Sequence, residues 1–138
     1  MHTTRGTVTL ALDPEIAPLA VHDFVSLARS GFYSGLLWHR VVPGFVAQTG
    51  CPRGDGWGGP GWEIVDEVSD RAYLPGAVGF ARSDRDSAGS QFFVTTGPAR
   101  FLDGDYTWFG RVTEGLDVVR ALGVGDTLDA VELLLEAE

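Results

Sequence analysis

The stretch WHRVVPGFVAQTG, Trp38 to Gly50, sets two short apolar runs on either side of Pro43-Gly44. That pair is turn chemistry, so LLWHRVV before it and FVAQT after it read as two strands joined by a turn. Arg40 and Gln48 stand out in these arms, whose other side chains are mostly apolar or aromatic. Polar groups in such company need partners or a task. Pattern alone leaves two readings for each. The arginine is either tied to a carboxylate or carbonyl, or acts on a ligand; the glutamine either caps a turn or orients its neighbours.

Upstream, Val8, Leu10 and Leu12 alternate with Thr7, Thr9 and Ala11, the period-two signature of a half-buried strand, which Asp13-Pro14 ends. Val21, Phe24, Val25 and Ala28 fall at i, i+3, i+4 and i+7 between Pro18 and Gly31, which predicts an amphipathic helix. Downstream, CPRGDGWGGPG at 51–61 reads as a loop, and GAVGFAR, SQFFVTT and YTWFGRV read as strands. Val118, Val119 and Leu122, bracketed by Gly115 and Gly123, predict a second short helix, and Val131, Leu133 and Leu135 alternate in a closing strand. Two helices and about six to eight short strands make the fold mainly β, a barrel or a sandwich.

With 138 residues, 44% of them hydrophobic, the chain can bury one core and is read as a single domain, 1–138. Only 21% of residues are charged, and no apolar run reaches roughly 18 residues, which argues against disorder and against a membrane span. The formal charge is -9, and the ten basic residues, all arginine, lie scattered. Without a basic stripe to neutralise a phosphate backbone, nucleic acid is excluded as a partner. The opening MHTTRGTVTL lacks a signal-peptide pattern and the one cysteine, Cys51, cannot form an internal bridge, so a cytoplasmic location is expected.

Other chemistry fails on pattern. His39 with a serine and an aspartate could in principle form a hydrolase triad, but no nucleophile-elbow motif is present. Three histidines and one cysteine, none at paired ligand spacing, leave no metal site to expect. The glycine run Gly54 to Gly61 lacks the Lys-Ser or Lys-Thr and the following helix of a phosphate loop, and Cys51 reads as an incidental thiol with only Arg53 nearby.

The ordered set TVTLALDPEIAPLAVHDFVSLARSGFY, WHRVVPGFVAQTG, GAVGFARS, GSQFFVTT and FLDGDYTWFGRVTEGLDVVRAL resembles the cyclophilin-type peptidyl-prolyl isomerases over nearly the whole chain. The resemblance implies a closed eight-stranded antiparallel β-barrel capped by two α-helices. It also implies an isomerase acting on X-Pro bonds in peptides and unfolded or partly folded proteins, a monomer with no cofactor and no metal. Arg40 then matches the catalytic arginine and Gln48 the residue that orients it. Phe45, Val46, Phe93 and Leu102 match the walls of the proline pocket, with Ala81 and Gln91 lining the neighbouring groove.

Three departures sit beside the centre. Arg82 replaces an asparagine common in the family, and Phe101 and Tyr106 stand where large eukaryotic members carry tryptophan and histidine. They bear on groove specificity and imply weak binding of cyclosporin. Val46 replaces a common methionine. The rival expectations are a proline-peptide binding module without useful turnover, within a larger protein, and a ligand-carrying barrel with an open interior.

Overall fold

The computed structural model describes residues 1–134. Its strands are β1 (His2–Thr3), β2 (Gly6–Thr7), β3 (Thr9–Leu12), β4 (Leu36–Leu37), β5 (Arg40–Val42), β6 (Val46–Thr49), β7 (Ala77–Phe80), β8 (Phe92–Thr95), β9 (Trp108–Glu114) and β10 (Thr127–Ala130). The helices are α1 (Pro18–Arg29) and α2 (Leu116–Ala121), with a 3-10 turn at Arg100–Leu102.

Hydrogen bonding arranges the strands as two antiparallel sheets, β2-β1-β10-β4 and β3-β9-β7-β8-β6-β5. The sheets share their edges. Only Val8 separates β2 from β3, and only Trp38 and His39 separate β4 from β5, so each pair is one bent run passing from sheet to sheet. Counting each run once turns the ten strands into eight, and their order becomes cyclic. Closure removes the unpaired edges that open sheets expose.

Period-two alternation divides the side chains between two clusters. On β8, Phe92 and Val94 point into the main core, whereas Phe93 belongs to a second, smaller cluster with Val46, Tyr73, Leu102 and Trp108. The main core is aromatic: the Phe24 ring meets Phe92 edge-on at 5.2 Å, and Phe80 stacks on Phe109 at 4.6 Å. Trp38, Tyr33 and Phe92 are fully buried among them. A filled interior of this kind rules out the ligand-carrying barrel.

The amphipathic face of α1 enters this core through Val21, Phe24, Leu27 and Ala28. Pro18 opens the helix, where its missing N–H is harmless. Ala17, at the cap position, has no side-chain oxygen to offer; Glu67 does the work instead, its carboxylate accepting from Leu19 N at 3.1 Å and Ala20 N at 2.7 Å. The second helix contributes Val119 and the adjacent Leu122.

One expected element is displaced. The closing strand is Thr127–Ala130, not the run Val131, Leu133, Leu135. Val131 to Leu134 carry no strand pairing, and Leu135 lies outside the described residues. Leu128 is the reason: it is fully buried, pairing with Leu36 on β4 and Thr3 on β1, so backbone partners on both sides outweigh the apolar alternation further on.

Candidate active site

Strand register builds the site. Val42, Pro43, Gly44 and Phe45 form a turn closed by Phe45 N donating to Val42 O at 3.0 Å, with Gly44 at φ +74° where a side chain would be strained. That turn sets Arg40 on β5 opposite Gln48 on β6; Gln48 in turn faces Phe93 on β8, and Phe93 faces Gly79 on β7. Four strands therefore bring Arg40, Gln48, Phe93 and Gly79 into one row. Gly79 ends the row for a steric reason. A Cβ there would lie 2.5 Å from Tyr73 Oη and 2.8 Å from Phe93 Cζ, inside van der Waals contact.

Over this row opens a cavity of about 440 Å³, lined by Arg40, Phe45, Val46, Gln48, Ala81, Arg82, Phe93, Phe101, Leu102 and Tyr106. Buried Val46, Phe93 and Leu102 belong to its apolar side. The Phe101 ring lies 5.4 Å from that of Phe45 and is 73% exposed, at the rim. The Tyr106 ring meets Phe93 edge-on at 6.1 Å. Every expected site residue except Gln91 thus lines a single cavity. Gln91 borders the adjoining groove of about 810 Å³, which Gln48, Ala81 and Arg82 also line.

Arg40 is exposed, donates from Nη1 to Gln48 Oε1 at 3.4 Å and sits 5.6 Å over the Phe45 ring. Among the described residues no carboxylate pairs with it. Arg82 is the opposite case. Its side chain is 8% exposed, faces Asp66 at 3.3 Å and Asp105 at 2.7 Å, and lies 4.3 Å over the Tyr106 ring. Two carboxylates neutralise it, so it forms part of the wall between cavity and groove rather than a free donor.

A family model described as cyclophilin type peptidyl-prolyl cis-trans isomerase/CLD matches residues 1–134. The chain belongs to this family. The chain is 43% identical over 139 residues to a peptidyl-prolyl cis-trans isomerase of Synechococcus elongatus, covering 99% of this chain and 96% of that protein. It is also 43% identical to peptidyl-prolyl cis-trans isomerase B of Bacillus subtilis, covering 91% and 90%. Among solved structures it is similar to a Cryptosporidium parvum cyclophilin determined in the presence of the dipeptide Ala-Pro. The TM-score is 0.85 at 30% identity, over 88% of this chain and 82% of that one. A cyclophilin from Hirschia baltica gives a TM-score of 0.83 at 29% identity, over 94% and 70%. The chain is accordingly a cyclophilin-type peptidyl-prolyl cis-trans isomerase, with the mainly β, two-helix fold of that family.

Two features of this cyclophilin site lay beyond the sequence reading. Tyr73, fully buried, packs against Phe93 with the rings tilted and their centroids 5.6 Å apart, and its hydroxyl donates to Tyr106 O at 3.0 Å. Burial drives its pKa far above the usual phenol value. Cys51 is not incidental to its loop: Sγ accepts from Gly58 N at 3.2 Å. Burial pushes that thiol up, but the N–H groups of Gly58, Gly56, Asp55 and Arg53 together bring it below the usual cysteine value. The glycine-rich run at 51–61 carries no periodicity that would have signalled the Cys51 contact, and the partners of Tyr73, which are Phe93 and Tyr106, lie 20 or more residues away in the chain.

Proposed function

We propose that proline-containing peptides and unfolded chains seat the proline ring against Phe93, Val46 and Leu102, with Phe45, Phe101 and Tyr106 around the mouth. Arg40 acts on the reacting amide, and Gln48 orients it. The observation that carries this reading is the row Arg40, Gln48, Phe93 at the cavity, with a guanidinium that no described carboxylate occupies.

Rotation about the X-Pro amide must break C–N resonance, a barrier of ~18–20 kcal/mol, while no covalent bond is made or cleaved. As the amide twists, its nitrogen becomes pyramidal and regains a localised lone pair. A donor aimed at that nitrogen binds the twisted state better than either planar isomer, which lowers the barrier. A guanidinium suits the task because it stays protonated at working pH and presents several N–H groups in one plane. The apolar seat holds the ring while the preceding residue rotates, and its low polarity strengthens the guanidinium's field.

Weak cyclosporin binding belongs to the same reading, since Phe101 offers no indole donor at the rim. We place the protein as a cytoplasmic monomer; a single thiol without a bridge accords with a reducing compartment. No helix among the described residues is long and apolar enough to cross a membrane.

The test is NMR titration with a short Ala-Pro peptide, alongside isomerisation rates for a panel of X-Pro peptides. Amide shifts should concentrate at Arg40, Phe45, Gln48, Phe93, Leu102 and Tyr106. Shifts confined to another face would overturn the assignment, and binding there without acceleration would make the pocket a proline-peptide binding module.

A further inference from the structure

Gln91 is half-buried where the 810 Å³ groove meets the row of Arg40 and Gln48. Its Nε2 donates to Gly56 O and Gly58 O, both at 2.9 Å. Main-chain carbonyls only accept, so the nitrogen end of Gln91 has to face them. Its Oε1 is then left toward Gln48, whose Nε2 donates to it across 3.1 Å. With its nitrogen so engaged, Gln48 presents Oε1 to Arg40 Nη1 at 3.4 Å. Reversing either amide would set donor against donor or acceptor against acceptor, so the chain has one consistent polarity.

The loop that ends this chain is itself tied down. Gly58 N donates to Cys51 Sγ at 3.2 Å, Gly54 N to Cys51 O at 3.0 Å and Trp57 N to Asp55 Oδ1 at 2.9 Å. Its two carbonyls are therefore fixed acceptors rather than mobile ones. The Arg40 to Gln48 contact is long for a hydrogen bond. A weak contact of this kind depends on the correct end of the amide facing the cation.

We propose that Gln91 is a positioning residue for catalysis: anchored on the Gly56 and Gly58 carbonyls, it fixes the polarity of Gln48 and through it the direction of the Arg40 guanidinium. This rests on the reading of Arg40 as the donor to the twisted amide. Gln91 does not line the 440 Å³ cavity, and its hydrogen bonds reach Arg40 only through Gln48. The loop at 51–61 thereby becomes part of the active site without lining the 440 Å³ cavity.

The discriminating variant is Gln91→Glu, which keeps the shape and replaces the donating nitrogen by oxygen. As a carboxylate the new group sets an acceptor against the two carbonyls, so its anchor on Gly56 O and Gly58 O is lost and the oxygen it offers to Gln48 is no longer held in place. Once protonated, it can donate a hydroxyl to one carbonyl while its other oxygen still accepts from Gln48. Isomerisation is followed by exchange NMR on a short X-Pro peptide between pH 8 and pH 5, which needs no coupling protease. At pH 8 the variant should lose about 10- to 100-fold in kcat, the scale of a misdirected catalytic group, with a smaller change in KM. Activity should climb back as pH falls toward the titration of the introduced acid, while the parent protein stays flat. The charged and titratable groups in or around the groove, Arg40, Arg53, Asp55, Glu63, Arg82 and His39, are common to both proteins, so a pH response seen in the variant alone belongs to the introduced acid.

Gln91→Leu, which has no polar end to protonate, should be impaired equally at every pH, and it covers the case in which the carboxylate variant unfolds. Wild-type kcat in both variants would overturn the proposal. So would a loss in Gln91→Glu that does not recover with acid in a protein whose thermal unfolding is unchanged, since that pattern marks a merely structural contact. Full activity in Arg40→Ala would instead remove the reading beneath it.

Discussion

Gly79→Ala tests the construction of the proline seat without touching any polar group. The added Cβ would sit 2.5 Å from Tyr73 Oη and 2.8 Å from Phe93 Cζ, about 1 Å inside the ~3.5–4.0 Å optimum for such pairs. One ring has to move. Tyr73 is fully buried and its hydroxyl is held on Tyr106 O, whereas Phe93 borders an open cavity of about 440 Å³. Phe93 therefore yields, and it yields into the space reserved for substrate. Overpacking of this kind costs about 1–3 kcal/mol of stability. At roughly 3 °C per kcal/mol for a domain of this size, Tm should fall by a few degrees. The activity loss should be larger, about 10- to 100-fold in kcat/KM and carried chiefly by KM, because the seat rather than the guanidinium is displaced. Calorimetry and X-Pro isomerisation on the same sample separate the two effects. Wild-type kcat/KM in a variant whose Tm has dropped would refute the reasoning: the row would have shifted without consequence, and the proline would bind elsewhere.

Because no proton is exchanged with substrate, kcat/KM should stay flat between about pH 6 and pH 9, unlike the bell of acid–base catalysis. Burial pushes the pKa of His39 below its usual value; a rate that follows an ionisation at or below ~6.5 and flattens in His39→Gln would contradict the mechanism. Asp23, on the buried face of α1, accepts from Trp62 Nε1 at 2.8 Å while its Oδ2 is buried without a partner, and burial raises its pKa. A raised folded pKa gives stability that is full below the unfolded value and is lost as pH rises through the folded one. The Tm of Asp23→Asn relative to the parent should therefore increase from pH 4 to pH 7, and a pH-independent difference would show that the carboxyl is not desolvated. Phe101→Trp should tighten cyclosporin by ~1–3 kcal/mol with little change in isomerase rate, by supplying a donor at a rim position now held by a 73% exposed phenyl ring. Unchanged affinity by calorimetry would mean that the rim there does not meet the inhibitor.

Arg40 and Gln48 stand out locally because they interrupt apolar strands, but pattern alone leaves their role open, and the seat of Phe45, Val46, Phe93 and Leu102 is legible only through the family resemblance. Register is not legible in local pattern. That Arg40 faces Gln48, and Gln48 faces Phe93, depends on turn closure at Pro43-Gly44 and on pairing between strands far apart in the chain. Arg82 shows the same limit. Its place beside the cavity follows from its position after β7, but its neutralisation by Asp66 and Asp105 involves two separate loops with no periodicity. The cap that Glu67 gives α1 and the two carbonyls that hold Gln91 are equally long-range. The displaced closing strand follows from competition: Val131, Leu133 and Leu135 alternate well, yet Leu128 has partners on both sides and a fully buried position.

The most direct measurement is the isomerisation rate of Arg40→Ala beside Arg40→Lys on one X-Pro peptide, with thermal unfolding to confirm that both fold. Arg40 is exposed and unpaired with any described carboxylate, so neither change should unfold the barrel. Arg40→Ala should lose ~10²–10³ in kcat, the scale of removing one transition-state donor. Arg40→Lys should also be poorly active, because the planar fork is lost although the charge is kept. Near-wild-type turnover in a folded Arg40→Ala would contradict the account, since the twisted amide would then be stabilised by some other group.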